Sequence, residues 1–400
     1  MIVRASVVVT MDRPPIENGA VAISGKQIID VGPFNDVRAR NSGQIVDLGE
    51  RALVPGLINA HCHLDYTCLR WKIPQQKSFA DWIRAINAEK AKLEREDYFL
   101  SINDGFAEAK RFGTTTMTNL TAFPQLLPQI IAPIRTWWFG ELIDVRGNVD
   151  VDLAVKSLQS AEHWGLAPHA PFTASAELYR RCEVAAPLLT THVAESHEEM
   201  RMFRDASGPL YDFLKEIGRD MSDCGGKTPL EQFLAARDSL ISPGLRREWL
   251  IVHLNELTDS DFNLLKRSTS RFSVLHCPRS HQYFGHARFQ FERLRELDFN
   301  VCLGTDSLAS NDNLSLFAEM QAFQKQSPTV SPEEILQMVT VNPARALQQQ
   351  NALGQLRVGL RADLLAIACG KLATAYDEVV AFDGPVEWIL VDGCVSEHVA

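Results

Sequence analysis

The middle of the chain alternates short apolar runs with longer amphipathic stretches. Helical spacing of apolar positions is clear in the intervening stretches, for example in 79–93 and 98–112. Parallel strands that helices cover on the outside are continuous apolar runs, so the pattern predicts an α/β fold of the (β/α)₈ TIM-barrel type. An open doubly wound sheet is the alternative, but no G-x-G-x-x-G follows the first strand. The eight predicted strands lie near residues 57–61, 114–119, 136–140, 166–170, 188–192, 250–253, 272–276 and 300–304.

The two ends of the chain show another pattern, in which short β-rich runs are separated by turns. Such runs occur at 7–9 and 20–23 near the start and at 363–367 and 388–391 near the end. Strand-rich ends on either side of a βα middle predict one small β domain assembled from both termini. The predicted division is 1–55 for its N-terminal part, 56–350 for the barrel and 351–400 for its C-terminal part.

Composition and charge exclude several classes of protein. The 400 residues are 46% hydrophobic and 22% charged, as in a globular protein. The formal net charge of −10 argues against binding to nucleic acid, which requires a basic surface. No apolar run is long enough to span a membrane, and the N-terminus has no signal-peptide pattern. The eight cysteines form no C-x-x-C pair. We therefore expect a cytoplasmic protein with reduced thiols, a small-molecule substrate and a homo-oligomeric assembly.

The first candidate for chemistry is the tripeptide His61-Cys62-His63, which ends the first barrel strand. Residues i and i+2 of a strand project to the same face, so both imidazoles could bind one metal ion. An H-x-H tripeptide also arises by chance. Its place at a strand end favours the metal site, because barrel active sites lie where the strands end.

Four more ionisable residues follow predicted strands at the same end of the barrel. Each has an ordinary structural explanation: a lone histidine is often a hydrogen-bonded core residue, and an aspartate is often a helix N-cap. Together they would converge on one mouth of the barrel, where histidine nitrogens and a carboxylate suit Zn²⁺ or Fe²⁺ with an open position for water. These residues are His192, Glu195, His253 and Asp306.

The sequence resembles the amidohydrolase superfamily, in its branch of metal-dependent aminohydrolases. This branch includes cytosine, guanine, methylthioadenosine/adenosylhomocysteine and aminodeoxyfutalosine deaminases as well as triazine chlorohydrolases. The resemblance implies a barrel with a β-sandwich-like domain built from both termini. The matching stretches span almost the whole chain and are VPGLINAHCH at 54–63, HAPFT at 169–173, THVAE at 191–195, GTDS at 304–307, VNPARAL at 341–347 and GLRADL at 359–364.

The resemblance also implies a role for each matching residue. His61, His63, His192 and Asp306 would be the metal ligands, Asp306 would also accept the proton of the attacking water, and Glu195 and His253 would handle protons. His169 would lie in the substrate pocket. Related binuclear enzymes carry a carbamylated lysine on the fourth strand, which 166–175 lacks. The expected cofactor is therefore one divalent transition metal, zinc before iron or manganese.

The substrate-binding residues are predicted from two segments beyond the strands. Trp71 and Trp82 follow the first metal pair and could stack on a nucleobase, although helix-core packing explains each equally well. Arg279 and His281 follow the seventh strand and could pair with a carboxylate at the far end of a substrate. The alternative for Arg279 is that it only anchors this loop.

These residues predict a hydrolase of carbon–nitrogen bonds. The expected reaction is deamination of an aminated heteroaromatic ring, such as a 6-aminopurine nucleoside of the aminodeoxyfutalosine or adenosine kind, with release of ammonia. A cyclic amidase on the same scaffold is the alternative, and Glu195 argues against it because a donor of a proton to a ring nitrogen belongs to deamination. A non-catalytic binding protein that kept the barrel is the remaining alternative.

Overall fold

The barrel and the terminal sheet are both present in a computed structural model, which describes residues 1–147, 149–238, 247–268 and 272–396. The predicted α/β barrel class is confirmed. The strands are β1 (Ile2–Val8), β2 (Ile16–Ser24), β3 (Gln27–Pro33), β4 (Ile45–Asp47), β5 (Arg51–Pro55), β6 (Leu57–Cys62), β7 (Thr114–Thr121), β8 (Arg135–Leu142), β9 (His163–Pro168), β10 (Leu189–Val193), β11 (Trp249–His253), β12 (Ser273–His276), β13 (Asn300–Leu303), β14 (Leu364–Ala368), β15 (Trp388–Val391) and β16 (Cys394–Ser396).

Helices connect the strands on the outside of the barrel. Several begin at a serine or aspartate whose side chain accepts a hydrogen bond from the first turn, as Ser78 does from the Asp81 amide. The helices are α1 (Phe34–Arg40), α2 (Phe79–Lys90), α3 (Arg95–Arg111), α4 (Val151–Leu158), α5 (Ala176–Ala185), α6 (His197–Asp205), α7 (Pro209–Glu216), α8 (Pro229–Asp238), α9 (Asp259–Arg267), α10 (Pro278–Phe284), α11 (Phe291–Glu296), α12 (Leu316–Gln326), α13 (Pro332–Gln337), α14 (Val341–Ala346) and α15 (Ala375–Val380), and 3₁₀ turns occupy Leu64–Leu69, Pro124–Gln129 and Leu372–Thr374.

Strands β6 to β13 pair in chain order, all parallel, and form the barrel. These strands overlap the predicted ones and differ from them by a few residues at their ends. Apolar side chains such as Phe139, Leu250 and Val252 are buried in one core cluster with Ile58 of the first barrel strand. The barrel closes at its carboxyl end, where the amides of Thr305 and Asp306 both donate to the His61 carbonyl.

Gly304 allows this closure. A Cβ atom at this position would lie 2.7 Å from both the backbone N and the backbone O of His61. Only glycine permits so close an approach of two backbones without displacement of one strand. The glycine therefore brings the segment after β13 against the end of β6, which places Asp306 beside His61.

The second sheet is mixed and contains strands from both ends of the chain. Its order is β16-β15-β14-β5-β1-β2-β3, with β4 paired to β1. The antiparallel pairing of β14 with β5 joins the C-terminal part to the N-terminal part. Arg135, at the start of β8, links the barrel to this sheet through ion pairs with Asp363, at 2.6 Å, and Asp392. The exact domain boundaries at 55 and 350 remain a prediction, and residues 397–400 of the last segment lie outside the described residues.

No helix in the described ranges has both the length and the apolar character needed to cross a membrane.

Candidate active site

The predicted ligand residues lie together at the carboxyl end of the barrel. His61 belongs to β6, His63 follows it, His192 belongs to β10 and Asp306 follows β13. The ring centroid of His61 lies 4.9 Å from that of His63 and 5.1 Å from that of His192. The Oδ1 atom of Asp306 lies 3.7 Å from Nε2 of His61 and 3.9 Å from Nε2 of His63. Three strand ends that are far apart in the sequence therefore converge on one point.

The donor atoms of this cluster fit a divalent metal ion. One nitrogen from each of His61, His63 and His192 lies within 4.8 Å of the others. Both ring nitrogens of His61 are buried and have no hydrogen-bond partner among the described residues. His192 donates its Nδ1–H to the carbonyl of His169 over 2.8 Å, so its Nε2 carries a lone pair in the neutral ring. A divalent metal ion could take such unpartnered imidazole nitrogens as ligands, so the donor set fits a metal site.

Burial favours the neutral form of the His63 and His192 imidazoles. Desolvation, together with the neighbouring His169 and His61, lowers the pKa of His192 to about 3. Desolvation and the neighbouring His61 also lower the pKa of His63 well below its ordinary value. A metal binds the neutral imidazole, so protons do not compete with it near neutral pH.

The orientation of Asp306 is fixed by its neighbours. Its backbone has a left-handed φ of 58°, which is uncommon for a residue with a side chain. Ser280 donates its hydroxyl hydrogen to Oδ2 over 2.7 Å, and the Ser307 amide donates to Oδ1 over 2.8 Å. These bonds direct the carboxylate toward the histidines.

Glu195 and His253 form a second pair beside the histidine cluster. Nε2 of His253 lies 3.5 Å from Oε1 of Glu195, and both side chains are buried. Burial, then the charges of Asp306 and Glu199, raises the pKa of Glu195 well above its ordinary value. Burial also lowers the pKa of His253 well below its ordinary value. These shifts favour a protonated carboxyl group beside a neutral imidazole, which is an arrangement that can donate a proton.

An open cavity leads to these groups. It contains about 960 Å³ of empty space, its open mouth included. One wall is a single face of helix α2, because its lining residues recur at intervals of three and four. The lining residues of this wall are Phe79, Trp82, Ile83, Ile86, Asn87 and Lys90.

A sequence model of the amidohydrolase family matches residues 52–395, a range that contains every residue of the site. This chain belongs to the amidohydrolase family. The resemblance inferred from the sequence motifs is confirmed.

Relatives of this amidohydrolase include deaminases. The 5-methylthioadenosine/S-adenosylhomocysteine deaminase of Pyrococcus furiosus is 27% identical over 393 residues, and the match covers 92% of this chain and 86% of that protein. A zinc-bound adenosine deaminase from Xanthomonas campestris has 24% identity and a TM-score of 0.81, with 99% of this chain and 92% of that chain covered. Helicobacter pylori aminofutalosine deaminase, in complex with methylthio-coformycin, has 21% identity and a TM-score of 0.84, with 99% of both chains covered.

Two of the predicted substrate residues line the cavity of this amidohydrolase. Trp82 packs parallel to Phe79, with 6.0 Å between ring centroids, and still contributes to the cavity wall. His169 also lines the cavity, and its Nδ1 is 2.7 Å from the hydroxyl of Thr173. Trp71 does not line it, because its side chain is 76% exposed and its indole N–H bonds to Asp312.

The structure does not bring the other two predicted substrate residues into the cavity. The guanidinium of Arg279 donates to Asp312 over 2.8 Å and to Asn313 over 2.7 Å, so its donors are engaged within the loops. His281 is buried, and its Nδ1 lies 3.0 Å from Oδ1 of Asn255. The geometry supports the loop-anchor alternative for Arg279 and does not support a substrate carboxylate at this position.

Sequence reasoning missed several lining residues, and Glu141, Tyr66 and Lys90 are among them. Glu141 lies one residue before the end of β8, and its Oε1 lies 3.9 Å from Nδ1 of His63. Tyr66 stacks on His63 with 5.9 Å between ring centroids, and the Nζ of Lys90 lies 4.6 Å from the Tyr66 ring centroid. The rule that polar residues at strand ends are candidates could have found Glu141. No sequence signal marks Tyr66 or Lys90, because a helix and a 3₁₀ turn bring them to the site.

Proposed function

We propose that this amidohydrolase is a metal-dependent hydrolytic deaminase of a 6-aminopurine nucleoside derivative and that it releases ammonia. The observation that carries the proposal is the position of Glu195. Its buried carboxyl group adjoins His253 at 3.5 Å and lines the same cavity as the histidine cluster. The names of its relatives, which include adenosine-type and aminofutalosine deaminases, agree with this reaction.

His61, His63 and His192 would hold one metal ion, with the neighbouring Asp306 as the fourth ligand. Zinc is the metal proposed because a structural neighbour contains it. When bound, a divalent metal acts as a Lewis acid that makes a water molecule acidic enough to attack near neutral pH. Iron and manganese remain alternatives because nitrogen and carboxylate ligands also accept them.

The side chains of the site supply the proton transfers. Asp306 accepts a proton from the attacking water, and His253 orients that water by a hydrogen bond. The water oxygen bonds to the ring carbon that carries the amino group, while Glu195 gives its proton to the adjacent ring nitrogen. Asp306 then passes its proton to the amino group, which leaves as ammonia. The hydroxyl proton returns to Glu195, and a carbonyl group remains on the ring.

The cavity wall fits the flat ring and the sugar of a nucleoside. Trp82 and the other apolar residues of helix α2 offer a surface against which a purine can pack. His169 and Glu141 add polar groups at the end of the cavity near the histidine cluster. A mostly apolar pocket with a few placed polar groups is typical of small-molecule sites.

Lys90 supports a substrate with an anionic group on its sugar arm. It is the only lysine or arginine among the described residues that line the cavity, and its Nζ lies 4.6 Å from the Tyr66 ring centroid. A cation in an apolar wall favours a substrate that supplies the opposite charge. We therefore assign to Lys90 the carboxylate contact that the sequence suggested for Arg279.

Ammonia release by the purified, zinc-loaded protein tests this function. Aminated purine nucleosides, with and without an anionic arm, would be compared with pterins and triazines. We expect the nucleosides to give ammonia and a product in which a carbonyl replaces the amino group. A ring-opened product without ammonia would establish the cyclic amidase instead. A protein that fails to retain zinc through gel filtration and turns over none of these compounds would favour the non-catalytic binding protein.

The homo-oligomeric assembly and the cytoplasmic location remain proposals from the sequence. Light scattering of the purified protein measures the first, and fractionation of the cells that express it measures the second.

A further inference from the structure

The backbone of Glu195 is held by a buried side chain from the next barrel segment. The Nδ2 amide of Asn255 donates to the carbonyl oxygen of Glu195 over 3.0 Å. Nδ1 of His281 lies 3.0 Å from Oδ1 of the same asparagine. Asn255 is 3% exposed and His281 is 5% exposed, so water does not compete for these bonds.

The hydrogen-bond partners determine how this chain of bonds is arranged. A carbonyl oxygen only accepts, so the nitrogen of the Asn255 amide must face Glu195 and its oxygen must face His281. His281 must then carry its proton on Nδ1. The Glu195 carbonyl thus sets the direction of both bonds, and an Asn255 amide flipped by 180° would lose its bond to that carbonyl.

The segments joined in this way contain strained backbone. Ala194, His253 and Leu254 all have left-handed φ angles, of 52°, 77° and 51°. Such angles persist in residues with side chains only where the surroundings enforce them, and they cluster at functional sites. The Leu254 amide bonds to the Val193 carbonyl over 3.0 Å, which ties the ends of β10 and β11 together.

Glu199 holds Glu195 from the other side. Its Oε2 accepts the Glu195 amide hydrogen over 2.7 Å. The amide and the carbonyl of Glu195 are thus both bonded to buried side chains. This fixes the backbone from which the Glu195 carboxyl group projects toward His253.

We propose that Asn255 and His281 form a positioning pair that holds Glu195 in line with the ring nitrogen of the substrate. The inference rests on the proposed function, in which Glu195 donates the proton. Neither residue lines the cavity. They act through Glu195, since a displacement of about 1 Å in a proton donor can cost about 10²-fold in rate.

Kinetics of Asn255→Ala, with metal content measured in parallel, test the pair. We expect kcat to fall by about 10- to 100-fold, KM to change by less than about 3-fold and metal content to stay at the wild-type value. Asn255→Asp should lower kcat as well, because a carboxylate oxygen would face the Glu195 carbonyl. His281→Gln keeps an amide donor and should retain more activity than His281→Leu.

Asn300→Ala is a matched control at the opposite end of the barrel. Asn300 also donates its amide hydrogens to two partners, the hydroxyl of Ser273 at 3.0 Å and the carbonyl of Asn342 at 2.9 Å. Its replacement should lower the thermal midpoint and leave kcat unchanged. If the Asn255 and Asn300 variants lose activity only in proportion to their unfolded fractions, Asn255 is merely structural and the inference fails.

Crystal structures of the wild type and of Asn255→Ala separate this inference from the proposed function. We expect the Glu195 carboxyl group to leave its place beside His253 in the variant, while His61, His63 and His192 do not move. An unmoved Glu195 would overturn the positioning role whatever the substrate is. A wild-type protein that releases no ammonia would instead overturn the proposed function.

Discussion

His192 donates its Nδ1–H to the carbonyl oxygen of His169 over 2.8 Å, and this bond fixes the tautomer of the ring. Nε2 is thereby left as the nitrogen that can join the cluster of His61 and His63. His169, which lines the substrate cavity, is therefore coupled through its backbone carbonyl to His192, which is proposed to bind the metal. A shift of the segment that carries His169 would rotate a ligand.

Replacement of His192 by alanine should remove the metal and the activity together, because the variant lacks one of the four proposed donors and metal affinity depends on the complete ligand set. Metal per chain is measured by atomic emission after gel filtration. His163→Ala is the control. His163 is the first residue of β9, and its ring stacks on Trp137 of β8, away from the cluster of His61, His63 and His192. Full metal occupancy in the His192 variant would show that the proposed ligand set is wrong.

Glu195→Gln should keep the metal and lose turnover by about 10²-fold or more, because an amide has the same shape but cannot cycle a proton. Steady-state kinetics and metal analysis on the same preparation check this. The raised pKa of Glu195 gives the sign of the pH effect: kcat should fall on the alkaline side as the carboxyl group ionises. An active glutamine variant would remove Glu195 from the mechanism and favour the cyclic amidase.

Lys90→Met should raise KM for a nucleoside with an anionic arm and change kcat little, because such a contact is made equally in the ground and transition states. For a neutral analogue, KM and kcat of the variant should be nearly the same as those of the wild type. Arg279→Met is the comparison, and its loss of the Asp312 and Asn313 contacts should affect both substrates alike. If Arg279→Met raised KM for the anionic substrate alone, the carboxylate contact would belong to Arg279 and not to Lys90.

Glu199→Gln should remove part of the pH dependence of stability. Burial raises the pKa of Glu199 to about 8 in the folded protein, so between that pH and its ordinary pKa only the folded state holds the proton. The free energy of unfolding of the wild type should therefore fall as the pH rises from 5 to 8, by up to about 1.4 kcal/mol per pH unit from this group.

Glutamine at 199 keeps the acceptor for the Glu195 amide and has no proton to lose. Urea unfolding at pH 5 and pH 8 compares the two proteins, and the advantage of the variant should grow with pH. Parallel pH profiles for the two proteins would mean that Glu199 does not titrate in this range.

Much of the architecture follows from the sequence alone. The eight apolar runs predict the barrel strands because parallel strands buried on both faces must be apolar along their length. The same periodicity places His61, His192, His253 and Asp306 at strand ends, and a barrel gathers strand ends at one mouth. Gly304 and the residues after it were also found from the sequence, although the close approach to His61 that requires the glycine was not.

Only the tertiary structure decided what the side chains between the strands contact. Arg279 was a candidate for a substrate carboxylate until the structure placed Asp312 and Asn313 against its guanidinium. His281 was a candidate for the same role, and it bonds instead to Asn255, which follows a different strand. Local periodicity encodes strands and helices, but the partner of a loop side chain depends on segments that are distant in the chain and meet only when the barrel closes.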